Sequence, residues 1–277
     1  MIFIKYILVP SEFQISDTIP IKEGLKLLKK LINMYNNNVK AIKYLNSRNI
    51  NGVVNLKNEY KGENYIEISP YGVVLNMKHG IDVYIKVLNI IKSFHRIGII
   101  HRDIRSSNII IFNNEPIFID WAFSTKKGVK SEYLGTLSTA SDRILPLIKE
   151  NTKFSVSKSD ELESLVKTFL LTKFSYIAKV IRSSGRDPLA FLYNWNLIWN
   201  LLKDKFPVFN NLLKHAKKVK YSKMVKEINK INIGQIEVFL IQTFSKNENS
   251  IKEEEFDDQD DEEEVSDEEV DDEDDEE

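Results

Sequence analysis

With 277 residues and 42% apolar side chains, the chain is long enough to bury one large core or two lobes. It has no cysteine, which excludes a disulfide framework and a cysteine-bound zinc and suits an intracellular protein. The formal charge of -2 hides a division: 20 of the 41 acidic residues lie in 253–277, where Lys and Arg are absent, so residues 1–252 carry +18.

The acidic end has too little apolar surface to offset the entropy of ordering, so 247–277 is expected to be a disordered tail. Tethered to a basic body, it has two readings: a segment that lies transiently on that body, or a solubilising tail that touches nothing. Ser266, within "VSDEEVDDEDDEE", has the setting of an acidic-directed phosphorylation site. The basic excess has two readings. The codons of Lys, Asn and Ile are A/T-rich, so base composition accounts for part of it. The other reading is a surface for an acidic or nucleic-acid partner. No apolar run reaches the ~18 residues of a membrane span.

Along the chain, Ile2–Val9 reads as a strand rather than a signal peptide, having neither a basic start nor a cleavage site. Residues 22–47 read as a helix, with Leu25, Leu28, Ile32, Ala41, Tyr44 and Leu45 at helical spacing around an asparagine-rich break. Gly52–Leu56 and Tyr65–Ser69 read as strands, and "SPYG" after them as a connector. A strong helix follows, capped by Asp82, with Tyr84, Val87, Leu88, Ile91 and Phe94 on one face and Gly98 as its stop. Residues 124–145 have no clear period and read as a long functional loop. Ser157-x-x-Asp160 forms a capping box for a helix buried through Leu162, Leu165, Val166 and Phe169. From there to about 245 the pattern is helical.

The informative stretch is "IIHRDIRSSNIIIFNNEPIFIDWAF", residues 99–123. Two short apolar runs, Ile109–Phe112 and Ile117–Ile119, flank the turn chemistry of Asn113-Asn114-Glu115-Pro116. A hairpin brings Asp103 and Asn108 before it, and Asp120 after it, to one end of a rigid element. Such an oxygen cluster suits a hard cation such as magnesium.

His101-Arg102-Asp103-Ile104-Arg105-Ser106-Ser107-Asn108 resembles the catalytic loop of protein kinases, H-R-D-L-x-x-x-N. "SFHRIGII" resembles the end of the family's helix E, and "FIDWAF" stands where kinases carry D-F-G. "GTLSTASDRIL" resembles the close of an activation segment in its casein-kinase-one-like form, and "DELESL" resembles the start of helix F. Taken together, "HRDIR", "IDWAF", "ASDRIL" and "DELESL" look nearest to fungal crinkler-type kinase domains.

The resemblance implies an α+β, bilobal, protein-kinase-like fold: a reduced β-rich small lobe over 1–72, a mostly helical large lobe over 73–246, and the tail. It implies ATP and Mg2+ as cofactors and a protein Ser/Thr hydroxyl as acceptor. Asp103 would take the substrate proton. Asn108 and Asp120 would hold magnesium, Arg105 would steady the transferred phosphate, and Thr136 would brace Asp103. Lys5, in "IFIK", would be the nucleotide-phosphate lysine. Its glutamate partner has two readings: alignment puts Asn38 there, whereas spacing from Lys5 suggests Glu23. Arg102 would pair with a phosphate on Ser124, Thr125, Ser131 or Tyr133. Glu161, beside Asp160, would stand where helix F usually carries an aspartate.

There are departures. No G-x-G-x-x-G occurs, so the small lobe starts late, and Trp121-Ala122 replace Phe-Gly. Glycine accepts a positive φ that alanine adopts at a cost of order 1 kcal/mol. The Asp120 segment is therefore expected to keep one conformation. Two other functions stay open. One is a pseudokinase or binding module, favoured by the missing glycine loop. The other is a small-molecule phosphotransferase, to which "IDW" is closer than to D-F-G. His79, His95 and His215 show no metal-ligand spacing.

Overall fold

A computed structural model describes residues 21–60 and 65–254. Lys5, the Ile2–Val9 run, the Glu23 side chain and Ser266 lie outside the described residues. The chain divides into two units, Met1–Asn232 and Ile233–Glu277.

The first unit is an α+β body. It opens with α1 (Ile21–Ser47), followed by β1 (Asn55–Tyr60) and β2 (Tyr65–Ser69), an antiparallel pair. The asparagine-rich stretch does not break α1, which runs through it. The buried stripe of α1 is Tyr35, Val39, Ile42 and Leu45, and the polar Asn38 shares it. Gly52–Leu56 is strand only from Asn55 onward. Before that, Val53 makes a parallel bridge to Phe118, because the Phe118 N–H donates to the Gly52 carbonyl (2.8 Å).

Next come β3 (Val73–Val74) and α2 (Ile81–Arg96). Asp82 does not cap α2: Gly80 is the N-cap, and Asp82 lies in the first turn. The expected face of α2 is buried, with His95 added to it. Gly98, at φ +76°, turns the chain out of the helix as glycine can. β4 (Ile99–Ile100) leads into the loop 101–108, which ends in a short 3-10 turn, Ser106–Asn108.

The hairpin is β5 (Ile109–Phe112) and β6 (Glu115–Phe118), with β3 on the outer side of β5. Its turn is only two residues long. Asn113 and Asn114 both take positive φ (49° and 60°), the geometry that asparagine tolerates in tight hairpins, so Glu115 and Pro116 join the strand. β7 (Thr125–Lys126) pairs with β4. The 124–145 segment thus contains a strand and a 3-10 turn at Leu137–Thr139, and it enters α3 (Ile144–Lys149).

The helical part is α4 (Lys158–Lys173), α5 (Ser175–Arg182), α6 (Pro188–Lys205), α7 (Pro207–Lys217) and α8 (Tyr221–Ile228). The Ser157–Asp160 capping box starts α4. The second unit is described from α9 (Ile233–Glu254). No helix among the described residues is long and apolar enough to cross a membrane.

Helix α4 is buried on nearly every side, so its polar residues need partners. Asp160 accepts from Ser141 Oγ (2.7 Å) and Arg143 Nε (3.0 Å) as well as from the Ser157 N–H (2.7 Å). Burial pushes its carboxyl up, but the hydrogen bonds from Arg143, Ser157 and Ser141 outweigh burial and hold it below the usual carboxylate range. Lys167, fully buried, donates to the Ala140 carbonyl (2.6 Å) and Asp142 Oδ1 (2.7 Å), and lies 3.4 Å from Glu163 Oε1. α4 thereby holds the 140–143 segment.

Removing one partner of such a buried set leaves the others uncompensated. Lys167→Met should destabilise the protein by about 3 kcal/mol, measured by urea unfolding at pH 7. A loss under about 1 kcal/mol would show that Lys167 does not anchor this segment.

Candidate active site

Asp103 sits after β4 in a loop whose backbone is set by its neighbours. Arg102 is left-handed (φ +75°), and its N–H donates to Glu161 Oε1 of α4 at 2.6 Å. The other Glu161 oxygen pairs with His95 Nε2 (2.6 Å), and His95 Nδ1 meets the Tyr221 hydroxyl (2.6 Å). From the same helix, Thr168 Oγ1 donates to the Ile104 carbonyl (2.9 Å). His101 is buried. Its Nε2 lies 3.2 Å from the Ile119 carbonyl, and its Nδ1 accepts the Asp103 N–H at 3.3 Å. Both contacts are satisfied by one tautomer, with the proton on Nε2.

The Asp103 carboxylate is 3% exposed and held at both oxygens. Oδ1 accepts the Thr136 backbone N–H (2.9 Å). Oδ2 accepts Asn108 Nδ2 (2.7 Å) and lies 3.3 Å from Arg105 Nε. Asn108 Nδ2 also donates to the Asp103 carbonyl (3.0 Å). Thr136 therefore meets Asp103 through its main chain rather than its hydroxyl. Gly135 makes that possible: a Cβ there would lie 2.3 Å from the Arg102 carbonyl oxygen. "GT" thus marks a close approach of two backbones.

Asp120 follows β6 in a left-handed conformation (φ +57°). Burial pushes its carboxyl up, and the charge of Asp103 adds to it. Asp120 Oδ1 accepts the Ala122 N–H at 3.3 Å. The positive φ belongs to Asp120, and Ala122 is not among the positive-φ residues, so alanine carries no steric cost there. Trp121 is fully buried against Phe94 (5.3 Å between ring centroids) and His101 (4.5 Å).

The Arg102 guanidinium does not point to open solvent. It donates to the carbonyls of Glu132 and Phe123 (3.5 Å to the latter), and burial lowers its pKa. Two of the four expected phosphate acceptors are themselves engaged: Ser124 Oγ donates to the Trp121 carbonyl (2.7 Å) and the Tyr133 hydroxyl to the Thr136 carbonyl (3.2 Å).

Among the described residues no group of three or more His, Cys, Asp or Glu could by itself hold a metal. Magnesium at a nucleotide does not need one: it takes one or two protein ligands, substrate phosphates and water. Asp120 and Asn108 fit that demand. The Asn108 Nδ2 is committed to Asp103, which leaves the amide oxygen as the atom with which Asn108 would hold a cation. Asp103, Arg105, Asn108, Asp120 and the Thr136 amide are therefore brought together; Lys5 is outside the described residues.

Sequence reasoning did not find the parts played by His95, Tyr221, Asn37 and Thr168. His95 had one signal: it falls on the apolar face of α2, where a polar residue needs a partner.

No model of a known protein family matches the chain. Over 194 residues, 66% of its length, it is 31% identical to a "probable serine/threonine-protein kinase" of Dictyostelium discoideum, and it spans 30% of that relative. The solved structure of the Cydia pomonella granulovirus kinase PK-1 aligns over 48% of this chain and 55% of its own, with 16% identity and a TM-score of 0.38. The sequence likeness supports a place in the protein-kinase superfamily.

The Asp103 contact separates main chain from side chain. Thr136 has φ -79°, which proline can adopt, so Thr136→Pro deletes the N–H with little backbone change. It should destabilise the protein by about 1–3 kcal/mol in urea, because a hydrogen bond to a buried carboxylate is lost. Thr136→Ala should cost less than about 1 kcal/mol. Equal losses in the two variants would contradict the main-chain assignment.

Proposed function

We propose that this chain is a protein kinase that moves the γ-phosphate of ATP to a Ser or Thr hydroxyl. The observation that carries the reading is the Asp103 carboxylate, fixed at one oxygen by the Thr136 N–H and at the other by Asn108, whose carbonyl takes the N–H of Ile119, the residue before Asp120, at 3.0 Å. The domain reading goes with it: small lobe 1–72, large lobe 73–246, acidic tail 247–277.

Phosphoryl transfer asks the protein for positioning and charge compensation more than covalent chemistry. Asp103 is placed to orient the acceptor hydroxyl and take its proton as the oxygen attacks phosphorus. Its two hydrogen bonds fix the carboxylate plane, so the proton is received from one direction. Arg105, 42% exposed at its side chain, can turn its guanidinium to the phosphate while Nε stays beside Asp103. Asn108 and Asp120 would hold Mg2+, which when bound neutralises phosphate charge. The Ser/Thr preference is supported by the "GTLSTAS" segment and by the likeness to the probable serine/threonine-protein kinase of Dictyostelium. "HRDIR", "IDWAF", "ASDRIL" and "DELESL" support the crinkler-type placement, and "GTLSTASDRIL" the casein-kinase-one-like one.

Asp103→Asn tests the assignment. Phosphate transfer from Mg-ATP should fall by ~10²–10⁴-fold, as expected for loss of a positioned base. The fold should persist with a loss of about 1–3 kcal/mol, because the new NH2 faces a donor already in place. Wild-type and variant proteins with equal transfer above background would refute the role of Asp103.

A further inference from the structure

Helix α1 carries Asn36-Asn37-Asn38, and two of these side chains reach the loop after β6. Asn38 is 4% exposed on the stripe that otherwise holds Tyr35, Val39, Ile42 and Leu45. A leucine would pack such a stripe better than an amide. The amide is there because it has a partner: Asn38 Oδ1 accepts the Trp121 N–H at 2.9 Å. Asn37 Nδ2 donates to the Ala122 carbonyl and, at 3.0 Å, to the Ser124 carbonyl. Three backbone groups of one short segment are thus tied to α1.

The tie acts where it matters for Asp120. Rotation about ψ of Asp120 swings the peptide that carries the Trp121 N–H. Asp120 is left-handed, a conformation that aspartate adopts more readily than most residues but still at a cost. Holding that N–H fixes the peptide, and with it the direction in which the Asp120 carboxyl leaves the chain. The Ala122 N–H on Asp120 Oδ1 then fixes the side-chain torsion.

We propose that Asn38, seconded by Asn37, is the positioning residue for Asp120: a neutral hydrogen-bonded tether from α1 aims the carboxylate that takes the cation of a metal–nucleotide complex. This rests on the phosphotransfer reading above. It assigns α1 a duty in metal binding that requires no charged pair. The tether is neutral and short, so it works at any ionic strength.

The test is Mg2+-dependent binding of a fluorescent ATP analogue, followed by hydrogen exchange on the ligand-free protein. In Asn38→Leu the Mg2+ concentration for half-maximal binding should rise roughly tenfold or more, the scale of one lost buried hydrogen bond. Nucleotide binding in EDTA should be unchanged, which general loosening would not leave so. Asn38→Asp keeps an acceptor and should bring the Mg2+ requirement back to the wild-type value or below it. Without ligand, the Trp121 amide should exchange at least about tenfold faster in Asn38→Leu. The Ile119 amide, bonded to the Asn108 carbonyl at 3.0 Å, should not change. Asn38→Ala gives the same comparison if leucine is not accommodated. A wild-type protein that binds no Mg-nucleotide would overturn the phosphotransfer reading and this inference with it. A wild type that binds, beside an Asn38→Leu with the same Mg2+ midpoint, would overturn the inference alone.

Discussion

Two left-handed residues, Arg102 and Asp120, set the geometry on which the candidate site depends. Neither is glycine, and for an L-residue this conformation costs roughly 1–2 kcal/mol. Each is held by a buried side chain that captures an adjacent amide: Glu161 takes the N–H of Arg102, and Asn38 takes the N–H of Trp121. One captor comes from α4 and the other from α1. One bond holds the backbone just before Asp103, and the other holds the peptide that follows Asp120. The site therefore depends on two helices distant in sequence.

Helix α4 is the larger platform. Asp160, Glu161, Glu163, Lys167 and Thr168 are all buried on it; each meets a loop, and Glu161 also pairs with His95 of α2. A core helix usually buries apolar groups. This one gives several buried positions to backbone-directed hydrogen bonds, so the 101–104 and 140–143 segments are ordered by specific polar contacts. Arg102 adds a third tie by donating to the Phe123 and Glu132 carbonyls, which pins the segment after Asp120 from its far side. The consequence is a site pre-organised in its backbone.

Much of this was legible in the sequence for a physical reason. Asp103, Asn108 and Asp120 are separated by a short hairpin, and hairpin geometry is local. The Ser157–Asp160 capping box is equally local. What was not legible is long-range and made by the main chain. Thr136 was readable as a brace for Asp103, but not that its amide does the bracing, because no side-chain pattern encodes an N–H. Asn38 was readable only as an odd residue at the position of a glutamate. Its bond to Trp121 joins residues 83 apart. Asp82 misled because Asp is a common cap; here Gly80 takes that place and Asp82 falls inside the first turn. The replacement of Phe-Gly by Trp121-Ala122 draws attention to Ala122, whereas the residue with positive φ is Asp120.

The central claim is that Asp103, Asn108 and Asp120 form one phosphate-transfer site. A crystal structure with Mg2+ and a non-hydrolysable ATP analogue tests it most directly. The account predicts a cation held by Asp120 and Asn108 and a terminal phosphate facing Asp103 and Arg105. A nucleotide bound away from these residues, or a cation that Asp120 does not touch, would contradict it.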